Sequence, residues 1–185
     1  MGLSFRSSKI ASRAVKKPIR ILVPIDVGNC PLEVFAHLNR FAGEHPTIVT
    51  LLHVVKAASG ATILSEGALT RPRDFLQKLA KRFLNRALPA QSKVRVGRPA
   101  EEIIAEAEAQ RADLILMTSY KGSSFGARPF DTEIRGRVMS EAPCKVSILH
   151  VRTRFNCDKQ WDLLEEIVAA LDYVGLLKPM HPLAK

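Results

Sequence analysis

The chain has 185 residues, of which 46% are hydrophobic and 25% charged, as is typical of a soluble globular domain. No run approaches the roughly 20 consecutive apolar residues of a membrane span, so a membrane partner is not expected. Cys30, Cys144 and Cys157 are odd in number and far apart, a pattern that fits neither a disulfide framework nor a zinc site. Reduced thiols predict a cytoplasmic protein.

The net charge of +10 is concentrated in the first 25 residues. This segment contains six basic residues and no acid, and the other 160 residues carry a net charge of +4. Such a composition predicts a solvated tail over residues 1–17, with an organellar transit peptide as an alternative. Weak nucleic-acid binding by the tail is another alternative, but a tail that keeps the protein soluble is preferred. A nucleic-acid partner is therefore not expected.

Strand and helix patterns alternate from residue 19 onward. A nearly continuous apolar run over residues 19–25 predicts a strand buried on both faces, which ends at Asp26. Pro31 can occupy the first turn of a helix, and Gly43 ends that helix. Residues 48–55 predict a second apolar strand. The spacing is that of a strand, a crossover helix and a parallel strand.

The middle of the chain is more polar. Residues 56–71 are small and polar and predict a loop. A helical stripe follows over residues 75–84, and its opposite face is basic. Val94 and Val96 predict a short third strand, and Pro99 opens a third helix with two acids in its first turn.

Strand and helix patterns continue to alternate in the last third of the chain. Residues 114–117 predict a fourth strand, and residues 118–131 a loop rich in serine and glycine. Residues 132–141 predict a short fourth helix and residues 146–151 a fifth strand. The sequence therefore predicts an α/β fold: a doubly wound, five-stranded parallel sheet with helices on both faces. Ligands in such sheets bind beyond the carboxyl ends of the strands, where the strand order reverses.

Residues 154–185 form a separate extension after the α/β domain at 18–153. Asp158 can cap a helix whose apolar residues share one face: Trp161, Leu164, Val168 and Leu171. We expect this helix to pack on its own domain. The alternative is burial against a second subunit or another partner, because a helix this apolar does not stay in water.

Five segments in order resemble the motifs of the universal stress protein family. They are Ile-Leu-Val-Pro-Ile-Asp at 21–26, Leu-Leu-His-Val-Val at 51–55, Gly-Arg-Pro-Ala-Glu-Glu-Ile at 97–103, Ala-Asp-Leu-Ile-Leu-Met at 112–117 and Ala-Pro-Cys-Lys-Val at 142–146. Each segment alone is a weak signal, but together they span residues 19–151. The resemblance implies a doubly wound domain of this size, usually a homodimer joined through the last strand.

The resemblance also implies that some members bind ATP and others do not. The ATP-binding members carry a Gly-x2-Gly-x9-Gly-Ser/Thr loop after the fourth strand, where glycine lets backbone N–H groups approach the phosphates. That spacing places Ser119, Gly122 and Thr132 at the three glycines and Glu133 at the hydroxyl. We interpret Thr132 as the N-cap of the fourth helix, and the Glu133 carboxylate as satisfying the helix start where a phosphate would lie.

ATP binding is therefore not expected, and neither a cofactor nor a metal is predicted. The alternative is a nucleotide-sensing protein that binds ATP with magnesium and hydrolyses it slowly at most. It is supported by Asp26, retained where binders contact adenosine, and by Lys121 and Arg128, which could attract phosphates. In that case the resemblance implies these contacts: Pro24, Asp26, Val55, Met117, Ser119, Gly122 and Thr132. Asp26 can equally well hydrogen-bond the turn that it begins.

No catalytic motif is present in the sequence. The P-loop, Gly-x-Ser-x-Gly and His-Glu-x-x-His patterns are all missing. His53 and His150 lie in apolar strands, where a hydrogen-bonded core or interface histidine is expected rather than a general base. The sequence therefore predicts a regulatory, non-enzymatic protein that acts by dimerisation and by docking on a protein partner that the residues do not identify.

Overall fold

The computed structural model describes residues 16–29, 33–56, 66–84, 88–120 and 129–151. Strands and helices alternate along this part of the chain, with a 3-10 turn at Val27–Asn29. The strands are β1 (Ile19–Pro24), β2 (Thr47–Lys56), β3 (Ala90–Gly97), β4 (Leu114–Tyr120) and β5 (Lys145–Val151). The helices are α1 (Glu33–Glu44), α2 (Glu66–Leu84), α3 (Pro99–Ala109) and α4 (Pro129–Glu141).

The five strands form one parallel sheet in the order β3-β2-β1-β4-β5. From β1 the chain winds outward through β2 to β3, and it then returns to the other side of β1 for β4 and β5. The strand order therefore reverses between β1 and β4. The predicted doubly wound α/β fold is confirmed.

Two hydrophobic cores cover the two faces of the sheet. The first contains buried side chains of α1 and α2, among them Phe35 and Leu76. The second contains buried side chains of α3 and α4, among them Ile103 and Val138. Residues 21–23 of β1 alternate between these cores, so the strand is apolar apart from Arg20, as the nearly continuous run at residues 19–25 predicts.

Two predicted element boundaries are wrong in the middle of the chain. The loop predicted over residues 56–71 is too long, because α2 already begins at Glu66. Pro72, normally a helix breaker, lies inside α2 and is buried. Strand β3 is eight residues long rather than short. Its residues on the face covered by α3, Gln91, Lys93 and Arg95, are polar, so the apolar signal was limited to two valines.

An ion-pair network explains the polar row of β3. Glu106 of α3 is 2% exposed, and it accepts hydrogen bonds from Lys93 Nζ at 2.6 Å and Arg95 Nη1 at 3.0 Å. Arg95 also binds the Glu102 carboxylate. The hydrogen bonds from Arg95 to Glu102 and then to Glu106 raise the pKa of the guanidinium. The network therefore adds polar contacts to the apolar packing that holds α3 on the sheet.

A second polar contact joins the start of β1 to the start of β4. The backbone N–H of Arg20 donates to Asp113 Oδ2 at 2.8 Å, and the Asp113 N–H donates to the Arg20 carbonyl at 2.9 Å. The Arg20 guanidinium also donates to the Gln110 carbonyl at 2.9 Å, at the end of α3. The aspartate of the Ala-Asp-Leu-Ile segment therefore has a structural role in strand pairing.

The basic tail and the predicted C-terminal helix fall outside the described residues, apart from the end of the tail at 16 and 17. The division at 17 and 153 consequently stays a prediction. Among the described helices, none is both long enough and apolar enough to cross a membrane.

Candidate ligand crevice at the carboxyl end of the sheet

A crevice is formed at the carboxyl end of β1 because this strand is shorter than its neighbours. Pro24 ends β1 opposite Leu52, and β2 continues for four more residues. On the other side β1 pairs with β4 at Leu22 and Ile115, and continuing that register sets Pro24 beside Met117. Strand β4 then extends to Tyr120. The crevice therefore has the end of β1 as its floor, and residues 53–56 and 118–120 as its walls.

The predicted contact residues mostly belong to this crevice. Pro24 is half-buried and Asp26 exposed on the floor, Val55 is half-buried in the β2 wall, and Ser119 is half-buried in the β4 wall. Met117 is buried beneath them, at 6% exposure. The fold brings these five positions to one edge of the sheet, as expected at the point where strand order reverses. Gly122 lies outside the described residues.

Asp26 forms the local turn that follows β1. Its Oδ1 accepts a hydrogen bond of 3.0 Å from the Gly28 backbone N–H, which starts the short 3-10 turn. This is the bond expected of an aspartate that begins a turn. This hydrogen bond to the turn is therefore sufficient to explain why an aspartate follows β1.

His53 links the β2 wall to the floor of the crevice. Its Nδ1 lies 2.8 Å from the Ile25 carbonyl oxygen, and because a carbonyl only accepts, Nδ1 carries the proton. In the neutral ring Nε2 is then an acceptor. The expected hydrogen-bonded histidine is confirmed, but sequence reasoning missed that its partner is the Ile25 carbonyl, at the residue before Asp26. The available signal was its place late in β2, opposite the end of β1.

The N-cap interpretation of Thr132 is wrong. Helix α4 begins at Pro129, three residues earlier, and proline is favoured in the first turn because it has no N–H to leave unpaired. Thr132 is exposed within the helix, and its Oγ1 lies 3.4 Å from Arg135 Nη2. Glu133, also exposed, is the fifth residue of α4, so its carboxylate does not occupy the helix start.

Titratable groups on α3 and α4 are paired with one another. Glu101, in the first turn of α3, accepts from Arg98 at 3.2 Å and from Arg137 of α4 at 3.4 Å. The hydrogen bond from Arg98 is the main cause of its lowered pKa, which Arg137 lowers further. These pairs link the first turn of α3 to the C-terminal half of α4, and they leave Glu101 ionised at neutral pH.

Cys144, just before β5, is poorly suited to act as a nucleophile. Burial raises the pKa of this free thiol, and the Asp113 carboxylate raises it further. A protonated thiol is a poor nucleophile. Within the described ranges, no three His, Cys, Asp or Glu side chains are grouped so that they could hold a metal ion.

The sequence and the fold are both similar to those of known proteins. The sequence model of the universal stress protein family matches residues 19–150. Among curated proteins no significant match is found.

Several solved structures share the fold. The universal stress protein UspA from Lactobacillus plantarum is 20% identical, with a TM-score of 0.56 over 72% of this chain and 98% of its own. A universal stress protein from Archaeoglobus fulgidus, solved in complex with dAMP, is 15% identical, with a TM-score of 0.53 over 70% of this chain and 96% of its own. A universal stress protein whose structure was solved in complex with cAMP is 15% identical, with a TM-score of 0.50 over 72% of this chain and 98% of its own.

Proposed function

The chain belongs to the universal stress protein family, and from this premise we propose that it is a non-enzymatic regulatory protein that does not bind ATP. It acts by dimerising and by docking on another protein during a stress response. Its thiols suit a reducing compartment, so the proposed place of action is the cytoplasm. The observation that carries the proposal is the early start of α4.

Because α4 starts early, the backbone N–H at position 133, which would have to bind a phosphate, lies inside a helix. Only the first few N–H groups of a helix lack an intrahelical partner, and in α4 these precede Glu133, with none supplied by Pro129. The N–H of Glu133 is therefore available for the helical bond to the Pro129 carbonyl. In the ATP-binding pattern the corresponding residue presents its backbone and hydroxyl to a phosphate, and here that position is inside a helix.

The negative charge of Glu133 also disfavours the binding of ATP. Helix α4 follows β4 and begins at the carboxyl edge of the sheet, so the exposed carboxylate is on the side of the molecule that bears the crevice. A triphosphate carries several negative charges, and like charges within a few ångströms repel each other even near solvent. The carboxylate therefore disfavours the phosphates rather than the nucleoside.

The second candidate function is nucleotide sensing, with ATP and magnesium. It is favoured by the crevice itself, which keeps Pro24, Asp26 and Val55 at one edge, and by related folds solved with dAMP and cAMP. Those ligands have one phosphate, so they need less of the cradle than a triphosphate does. The two candidates differ in the phosphate-binding half of the site and not in the crevice floor.

Replacing Glu133 separates these candidates. By isothermal titration with ATP and magnesium, we expect no measurable binding to the native chain. If the chain is instead a nucleotide sensor, Glu133→Ser should bind ATP severalfold more tightly than the native chain, because one nearby negative charge is removed. Glu108→Ser, an exposed carboxylate at the far end of α3, is the matched control and should change nothing. Micromolar binding to the native chain would establish the nucleotide-sensing function instead.

The proposed homodimer uses β5, which pairs only with β4 among the described strands. An unpaired strand edge is a template for pairing with a second copy. Val146 and Ile148 are half-buried on this strand, and a second copy would cover the exposed remainder. The helix predicted in residues 154–185 is the proposed docking element, because its apolar face needs a partner in this domain or another.

A charge on β5 should break this dimer. We expect light scattering to show a dimer for the native chain and a monomer for Ile148→Asp, since an unpaired carboxylate would be buried in the interface. Val96→Asp is the control, because Val96 is 42% exposed on β3 at the opposite edge of the sheet. A monodisperse native monomer, or equal loss of the dimer in both variants, would refute assembly through β5.

A further inference from the structure

The face of the sheet that carries α3 and α4 leaves one strand with little cover. Helix α3 contacts β2 and β3, and α4 packs in one core with Leu22 of β1 and Ile115 of β4. A helix is about 10 Å across and neighbouring strands are about 4.8 Å apart, so each helix covers about two strands. The two described helices on this face therefore cover four strands, and β5 at the edge of the sheet is the one left over.

Apolar side chains are exposed beside this strand, on a surface that we call the β5 shelf: Met139, Val146 and Ile148. Val146 packs against the second core, and Ile148 lies on the same face because strand side chains alternate between the two faces. Both are half-buried, and Met139 of α4 is 58% exposed. Adjoining exposed apolar side chains are typical of a surface that another element covers.

Met139 lies on the flank of α4 that is turned toward β5. Arg137, two residues earlier, lies 3.4 Å from Glu101 of α3, so it marks the flank that faces α3. Each residue advances about 100° around a helix, so Met139 is about 200° from Arg137, on the opposite flank. Because α3 lies toward β3, this opposite flank faces β5 at the other edge of the sheet. Met139 therefore lies above the strand that carries Val146 and Ile148.

The predicted C-terminal helix, which lies outside the described residues, has the length and position to cover this shelf. Val151 ends β5 at the carboxyl edge of the sheet, and the six residues 152–157 can extend over about 20 Å before Asp158. From Asp158 to Asp172 a helix is about 22 Å long, and the seven residues of β5 span about 23 Å. A helix that starts above the end of β5 would therefore run back along the whole strand, parallel to α4.

The pattern of side chains in residues 158–172 fits this direction. Two parallel helices have the same sense of rotation, so once the apolar stripe faces the sheet, the flank that meets α4 is fixed. Leu163 and Ile167 fall on that flank, toward Met139. The acids on the other flank recur every seven residues: Asp158, Glu165 and Asp172. A helix that ran in the opposite direction would turn these acids toward Met139.

We propose that the helix predicted at residues 158–172 lies on the β5 shelf of its own chain, parallel to α4, with Trp161 among its buried side chains. This goes beyond the proposed function, because it assigns the surface that the helix covers while no other protein is bound. A second copy that pairs along β5 extends the sheet in its own plane, so it meets Ile148 from a different side than the helix does. The helix contact, the dimer and the loss of ATP binding can therefore fail separately.

Trp161 is the only tryptophan in the chain, so its fluorescence reports on this helix directly. In the full chain we expect acrylamide to quench it far less than in the urea-denatured chain. Met139→Asp should raise the quenching constant severalfold, because a carboxylate in this contact would lose its hydration. Ser140→Asp is the matched control, since it adds the same charge at the next, exposed residue of α4, and it should leave the quenching unchanged.

Three results would overturn the proposal. They are equal quenching in the native and denatured chains, equal quenching in the two variants, and native quenching that rises on dilution, which would show that a second copy covers Trp161. Both substituted residues are exposed in the described domain, so circular dichroism should show both variants folded. Should Met139→Asp fold poorly, Met139→Gln makes the same comparison without the charge.

Discussion

Replacing Glu106 with alanine is expected to destabilise the domain by about 2–4 kcal/mol. Breaking a buried ion pair by removing one partner costs about 3–5 kcal/mol, and the lower figure applies here because both cations are partly exposed. The loss includes the two hydrogen bonds that hold α3 on β3, as well as the contact from Gln110 Nε2 at 3.3 Å. Chemical denaturation measures the change.

Two further variants test this explanation of the Glu106 effect. Glu106→Gln keeps the size and one acceptor but faces a cation with an amide N–H, so it should cost less than alanine and more than nothing. Glu108→Ala, on the exposed side of the same helix, should stay within about 0.5 kcal/mol of the native chain. If Glu106→Ala were as mild as Glu108→Ala, the network would not be what fixes α3.

Replacing Gly97 with alanine is expected to destabilise the domain by about 2 kcal/mol or more. Gly97 has φ +156°, a conformation that other residues rarely adopt, and strain of this kind costs about 1–3 kcal/mol. An added Cβ would also lie 2.6 Å from Glu102 Oε1 and 2.9 Å from Glu102 Cγ. Arg95 holds this carboxylate in place, so relieving the contact would weaken the network.

The controls for Gly97 use another glycine and a double variant. Gly136→Ala in α4, where an added Cβ meets nothing within 4 Å, should stabilise the chain by about 0.5–1 kcal/mol through helix propensity. Gly97→Ala combined with Glu102→Ala should cost less than the sum of the single changes, because the two sites are in contact. A Gly97→Ala variant as stable as the native chain would contradict this assignment.

These two positions show why the sequence predicted the fold better than its details. Strands buried on both faces, such as β1, leave a continuous apolar run that is readable from sequence alone. Strand β3 has one polar row because it meets charged residues of α3, so its length was not visible as a hydrophobic pattern. Likewise Pro72 and Pro129 were each compatible with a loop, and only packing decides that both lie within helices.

The candidate crevice was predictable in part. The motifs placed Asp26, Val55 and Met117 at strand ends, and parallel topology brings such ends together. The hydrogen bond from His53 to Ile25 depends on the register between β1 and β2, which the sequence does not contain. The start of α4 decides whether the backbone at Glu133 is free to bind a phosphate. The sequence pattern placed that start at residue 132, three residues later than the structure does.

The most direct test of the proposed loss of ATP binding is the nucleotide content of the purified native protein. After gentle purification and then denaturation, the released small molecules can be separated and measured by their absorbance and mass. We expect no adenine nucleotide in stoichiometric amount, because the position that would bind a phosphate lies inside helix α4 and bears the negative charge of Glu133. About one ATP per chain would contradict it.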